Sequence, residues 1–127
     1  MFVYESYEAG KIYGTDQFRI TRELIGGWLD IYGVDSGADA MPPGLVVLIQ
    51  QQAYKRVVAP RPPSHVQGRQ RFQLYSLPPA GSVVHTDVSC ISKEIRKERR
   101  WVEMGFHGRT QEGAAVYSGI NTVLVPC

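Results

Sequence analysis

The spacing of apolar positions changes several times along this chain, and each change marks an element. Between residues 11 and 20, the β-branched and aromatic residues Ile12, Tyr13, Phe18 and Ile20 predict a first strand. Gly14 interrupts that run and is the candidate for a bulge. Thr21 then reads as a helix N-cap, with Glu23 and Leu24 in the first turn. Leu24, Ile25, Trp28, Leu29 and Tyr32 recur at helical spacing and predict a short amphipathic helix, which Gly26 and Gly27 weaken. Residues 33–43, GVDSGADAMPP, are small and turn-forming and read as a loop.

The most informative segment follows. Pro42-Pro43-Gly44 leads into LVVLIQQQAYKRVV. Leu45 to Ile49 is apolar on every face, which predicts a helix start buried all round. Gln50, Gln51, Gln52, Lys55 and Arg56 then turn the pattern polar, so the helix should run out to solvent and stop before Pro60.

Beyond the connector APRPP the period becomes two. Val66–Tyr75, Ser82–Ile95, Arg99–Arg109 and Ala114–Val125 are predicted strands, with turns at 77–81 and at Gln111-Glu112-Gly113. Val84, Thr86, Val88 and Cys90 should share one face, and His85, Asp87 and Ser89 the other. The expected order is strand, short helix, long helix, then four strands joined mostly by hairpins. That is an α+β layer pair in a single domain spanning 1–127, with an antiparallel sheet wrapped around a long central helix. Its open sheet edges favour pairing into a homodimer or a higher homo-oligomer.

Composition narrows the function classes. With 127 residues, 43% hydrophobic and 20% charged, the chain is globular. A net charge of +2 argues against a nucleic-acid binder. The basic run Lys93–Arg100 is broken by two glutamates and reads as a solvated hairpin tip rather than an anion or RNA patch. Two cysteines, Cys90 and Cys127, make neither a disulfide framework nor a zinc site, and no His pair has metal-ligand spacing. No cofactor and no metal are expected. A first segment with acids and no long apolar run predicts no signal peptide and no membrane span, hence a cytoplasmic setting.

Three stretches carry a likeness to a known family. GKIYGTDQFRITRELIGGWLDIYG, MPPGLVVLI and RTQEGAAVYSGINTVLVP resemble, in order and spacing, the first strand and short helix, the opening of the central helix, and the last hairpin of MaoC-like hydratase/dehydratases of the hotdog fold. The resemblance implies an acyl thioester ligand, carried by coenzyme A or an acyl carrier. It also implies an aspartate and a histidine sharing one water, in an Asp-x-Asn-Pro-x-His loop after the short helix. Hydration needs a base for water, an acid for the α-carbon and donors on the thioester oxygen.

Laid on that pattern, Asp35 takes the aspartate position, while Gly37, Ala38 and Ala40 stand where Asn, Pro and His belong. The pair is therefore incomplete. Asp35 and Asp39 are the catalytic candidates, against ordinary turn formation. Gly44 matches the helix-opening glycine, and with Leu45 it begins a helix N-terminus that offers free N–H groups to a thioester carbonyl. Gln50 can orient water or a carbonyl but cannot act as a base. Its plainer role is a polar helix face against a sheet edge or a subunit. Arg61, Arg69 and Arg71 are candidates for the phosphates of coenzyme A, or are solvated. His65, His85 and His107 lie elsewhere, and a distant histidine would have to replace the missing one.

Three readings stay open: a hydro-lyase with a rebuilt pair, a non-catalytic subunit that completes a heterodimer with a catalytic hotdog chain, and a thioesterase.

Overall fold

Alternation and capping place the elements much as the pattern predicts. The computed structural model describes residues 3–32, 40–59 and 66–125, with the side chains of 29–32 and 66–67 left aside. A 3-10 turn at Tyr4–Ser6 precedes β1 (Ile12–Arg19) and α1 (Arg22–Tyr32). There follow α2 (Leu45–Val57), β2 (Val66–Leu74), β3 (Val83–Arg96), β4 (Arg99–Thr110) and β5 (Ala115–Val125). Asp35, Asp39, Arg61 and His65 lie outside the described residues.

The local signals act as expected. The Leu24 N–H donates to Thr21 Oγ1 at 3.0 Å, the N-cap bond that starts α1. The β1–β3 register slips between Ile12 and Gly14, so Gly14 does mark a bulge. Gly113, at φ +92°, supplies the left-handed residue of the β4–β5 turn.

All strand pairs are antiparallel, in the order β1-β3-β4-β5-β2. The expected hairpins join β3 to β4 and β4 to β5. The link from β2 to β3 is different. β2 pairs with β5 at one edge of the sheet, and residues 75–82 carry the chain back to β3, beside β1 at the other edge. The two edge strands are thus β1 and β2.

Val84, Thr86, Val88 and Cys90 on β3, and Val102, Met104 and Phe106 on β4, are buried beneath α2, as their alternation predicts. The helix itself departs from expectation. Leu45, Val46, Ile49, Gln50, Ala53 and Tyr54 are buried, but Val47 and Leu48 are 41% and 40% exposed. Burial falls in pairs four residues apart, which is a single stripe. The sheet covers one side of α2, so an apolar run is not enough to bury the other.

Candidate functional site

The opening of α2 is held by three separate stretches of chain. The Met41 N–H donates to the Pro78 carbonyl at 2.9 Å, and Ala40 bridges Pro79. The same connection is tied to the end of β1: the Gly81 N–H donates to Ile20 O and the Ile20 N–H to Ser82 O, at 2.7 and 2.9 Å. Met41 is fully buried. The segment that delivers Gly44 is therefore anchored to the scaffold.

The donors at this helix start are largely used. The N–H groups of Leu45, Val46 and Val47 donate to the carbonyls of Pro42, Pro43 and Gly44 at 3.0, 3.3 and 3.2 Å. Pro42 and Pro43 have no N–H. The Gly44 N–H is the donor left over: it meets no backbone carbonyl among the described residues. Gly44 has ordinary right-handed helical angles, φ −66° and ψ −16°. Its lack of a side chain matters for packing, because a Cβ there would sit 2.7 Å from Trp28 Cζ2. The indole of α1 thus occupies the place a Gly44 side chain would take. The Leu45 side chain is wholly buried, so it contributes to the core and its N–H is already bonded.

Further along α2, Gln50 is only 2% exposed. It does not face a sheet edge. Its carboxamide lies on Gly119 of β5, where any Cβ would overlap Gln50 Oε1. Asn121, two residues along the same face of β5, is 5% exposed. Gln50 Oε1 and Asn121 Oδ1 both lack a hydrogen-bond partner. Leaving a buried acceptor unpaired costs about 1–3 kcal/mol.

A second polar group crosses the core beside these amides. Asp16, Thr86, Gly108 and Tyr117 form one rung of the sheet, on β1, β3, β4 and β5. The Tyr117 and Thr86 hydroxyls are 3.0 Å apart and buried. Burial pushes the Tyr117 phenol well above its ordinary range; the Thr86 bond offsets part of that, and the Asp16 charge adds to it. Asp16 Oδ1 lies 3.5 Å from Arg56 Nη1 at the end of α2, and Oδ2 is unpaired. Asp16, Thr86 and Asn121 were not among the candidates from sequence. Asp16 shares its parity along β1 with Phe18, and with Ile20 just beyond the strand, and a charged residue on an apolar face was the available signal.

The remaining candidates fall on the other face. His107 pairs with Asp87 and His85 with Arg109, so both histidines lie on the sheet face turned away from α2. Neither stands with Gly44 in this chain. There Asp87 accepts from Thr15 Oγ1 at 2.5 Å and from Arg109 Nη1 at 2.6 Å. Burial raises its carboxyl, but these two bonds, with the charges of Arg109 and His107, hold it below the usual carboxylate range. Arg69 and Arg71 also project from the outer face. Arg69 lines a 360 Å³ hollow with Trp101, Glu94, Arg96 and Glu103, away from Gly44 and Gln50. Among the described residues, no group of three or more His, Cys, Asp or Glu side chains could hold a metal ion. No helix among them is long and apolar enough to cross a membrane.

No protein-family model matches the chain, and no curated protein matches it in sequence. Solved structures do match. A MaoC-like dehydratase from Rhodospirillum rubrum superposes with a TM-score of 0.84 at 13% identity, covering 98% of this chain and 97% of that one. An (R)-hydratase from A. caviae involved in PHA biosynthesis gives 0.74 at 13% identity, covering 96% and 99%. The HadBC complex of Mycobacterium tuberculosis, a 3R-hydroxyacyl-ACP dehydratase, gives 0.71 at 17% identity, covering 91% and 96%. At these identities the likeness establishes the architecture: the chain has the hotdog fold, with α2 as its central helix.

Proposed function

We propose that this chain binds acyl thioesters, of coenzyme A or of an acyl carrier, in a hydratase-like hotdog scaffold, with the thioester carbonyl at the start of α2. The observation that carries this reading is the Gly44 N–H. It is a donor on a helix N-terminus whose next three N–H groups are already satisfied, on a segment anchored by Met41 and Ala40. A carbonyl oxygen placed there gains one hydrogen bond and the positive end of the helix dipole. Asp35, a few residues earlier in the sequence, is the base proposed for water. Asp39 is the alternative.

The same fold serves a hydratase and two dehydratases among the similar structures, which supports the substrate class. Arg69 remains a candidate for phosphate contact only if a second subunit brings the outer face and the α2 opening together; Arg61 is proposed for the same role. The sparse cysteines suit a cytoplasmic setting.

One observation favours a second reading, a non-catalytic subunit that completes a heterodimer. His85 and His107 lie on the face turned away from α2, so neither supplies the missing acid within the chain. One of the similar structures is itself a two-component dehydratase complex.

The test is a spectroscopic assay with a short trans-2-enoyl-CoA, run beside Asp35→Ala, with a parallel measurement of octanoyl-CoA binding. Loss of enoyl absorbance that vanishes in the variant identifies a hydratase. Binding without turnover supports the subunit reading. No binding at any chain length removes the acyl-thioester reading altogether.

A further inference from the structure

Gln50 Oε1 and Asn121 Oδ1 are two buried acceptors without donors, and they face the same layer, between α2 and the inner face of β5. The arrangement is not forced by packing. A leucine at 50 would fill similar space without an orphaned oxygen. The chain instead has glycine at 119, and only glycine admits the Gln50 carboxamide onto the strand. Two positions are therefore committed to holding one amide on the inner face. By contrast, Thr86 and Tyr117 on that face satisfy each other, and Thr110 accepts from the Ala114 N–H.

The layer beside these amides is open on one side. α2 lies nearest β1 and β3. On the inner face of β2, Gln70 and Phe72 are only half-buried and Leu74 is 39% exposed. The Phe72 ring and the Gln50 carboxamide both lie against Gly119. Gln50 stands six positions after Gly44, which is about 9 Å along the axis. Asn121 stands about 7 Å along β5 from Gly119.

We infer that Gln50 and Asn121 form a polar subsite for the distal part of a bound acyl group, between α2 and the exposed inner face of β2, and that this acyl group carries a hydrogen-bond donor there, a hydroxyl or amide N–H. This rests on the acyl-thioester reading above and specifies its substrate class. A plain alkyl chain would leave both oxygens desolvated and unpaired. A donor about 9 Å beyond the thioester carbonyl would satisfy the Gln50 oxygen, and one placed between the two amides could serve either acceptor, one at a time. The group is too far from the thioester to be the 3-hydroxyl that a hydratase makes, so the selectivity is separate from the chemistry.

The experiment compares octanoyl-CoA with 8-hydroxyoctanoyl-CoA by titration calorimetry on the full chain, for the native protein, Gln50→Leu and Asn121→Leu. The native protein should bind the hydroxylated chain about tenfold more tightly, and each variant should lose or reverse that preference. Thermal unfolding of all three proteins shows whether each is folded, and the second variant keeps the test open if one is not. Equal affinities in the native protein, or a preference for the plain chain, overturn the inference while leaving the acyl-thioester reading intact. So does a Gln50→Leu protein that melts higher but keeps the native selectivity, the result expected if the amides merely share a buried water. Binding of neither ligand overturns both.

Discussion

The hydroxyls of Tyr117 and Thr86 meet at 3.0 Å although their strands are not neighbours. β4 runs between them, and the residue it contributes to that rung is Gly108. A Cβ on Gly108 would overlap the edge of the Tyr117 ring at Cδ1 and Cε1. The glycine is what lets the phenol cross a strand to reach its partner. Gly108→Ala should therefore force the ring out and leave two buried hydroxyls unpaired, costing about 2–4 kcal/mol. Tyr117→Phe removes one hydroxyl without a clash and should cost about 1 kcal/mol. Urea unfolding of both variants checks the ranking, and a Gly108→Ala loss no greater than that of Tyr117→Phe would contradict it.

On the outer face, Asp87 gives a pH dependence whose sign is fixed. Its folded-state pKa is depressed, burial being outweighed by bonds from Thr15 and Arg109. Such a carboxylate adds stability above its unfolded pKa of about 3.9, and that stability is lost as pH falls through the folded value. Asp87 and Arg109 are 30% and 43% exposed, so the pair is partly screened. Asp87→Asn should lower neutral-pH stability by roughly 0.5–1 kcal/mol. The gap between the two proteins should close on acidification, because a protonated Asp87 resembles the amide. Denaturation midpoints from neutral pH down to about pH 2.5 test this, and a constant gap would show that the charge plays no part.

The parity of β3 and β4 was legible because the sheet has one dry face and one wet face. Val84, Thr86, Val88 and Cys90 could be read directly from alternation. The exposure of Val47 and Leu48 could not, since it depends on what lies over the outer side of α2 and not on their own apolarity. Strand order was hidden for a similar reason. β2 pairs with β5 across some 50 residues of chain, and no local signal reports a non-local pairing. For the site, Gly44 could be picked out as the residue opening α2. The Asp16–Thr86–Tyr117 row could not, because seeing it requires the register of four strands at once.

The β3–β4 hairpin turns on Lys97 and Glu98, both with positive φ, 52° and 66°. A two-residue turn of this hand favours Asn-Gly, since residues with a Cβ are strained there. The Lys97→Asn, Glu98→Gly double variant should gain about 1 kcal/mol and raise the melting temperature by several degrees. A drop in stability would mean that the charges of this tip hold the fold more than its backbone strain opposes it.

Gly44 links packing to the proposed carbonyl site, and the two roles separate experimentally. Adding a methyl group there brings it within 2.7 Å of Trp28 Cζ2, so the indole must move away from the start of α2. Trp101, on the other face, can be replaced by Phe to leave Trp28 as the reporter. In that background Gly44→Ala should shift the Trp28 emission and cost about 1–2 kcal/mol. If the Gly44 N–H also receives the thioester carbonyl, octanoyl-CoA binding should weaken by more than tenfold, because the donor stays but the space before it closes. An emission shift with unchanged affinity would assign the glycine to Trp28 alone and move the carbonyl site elsewhere.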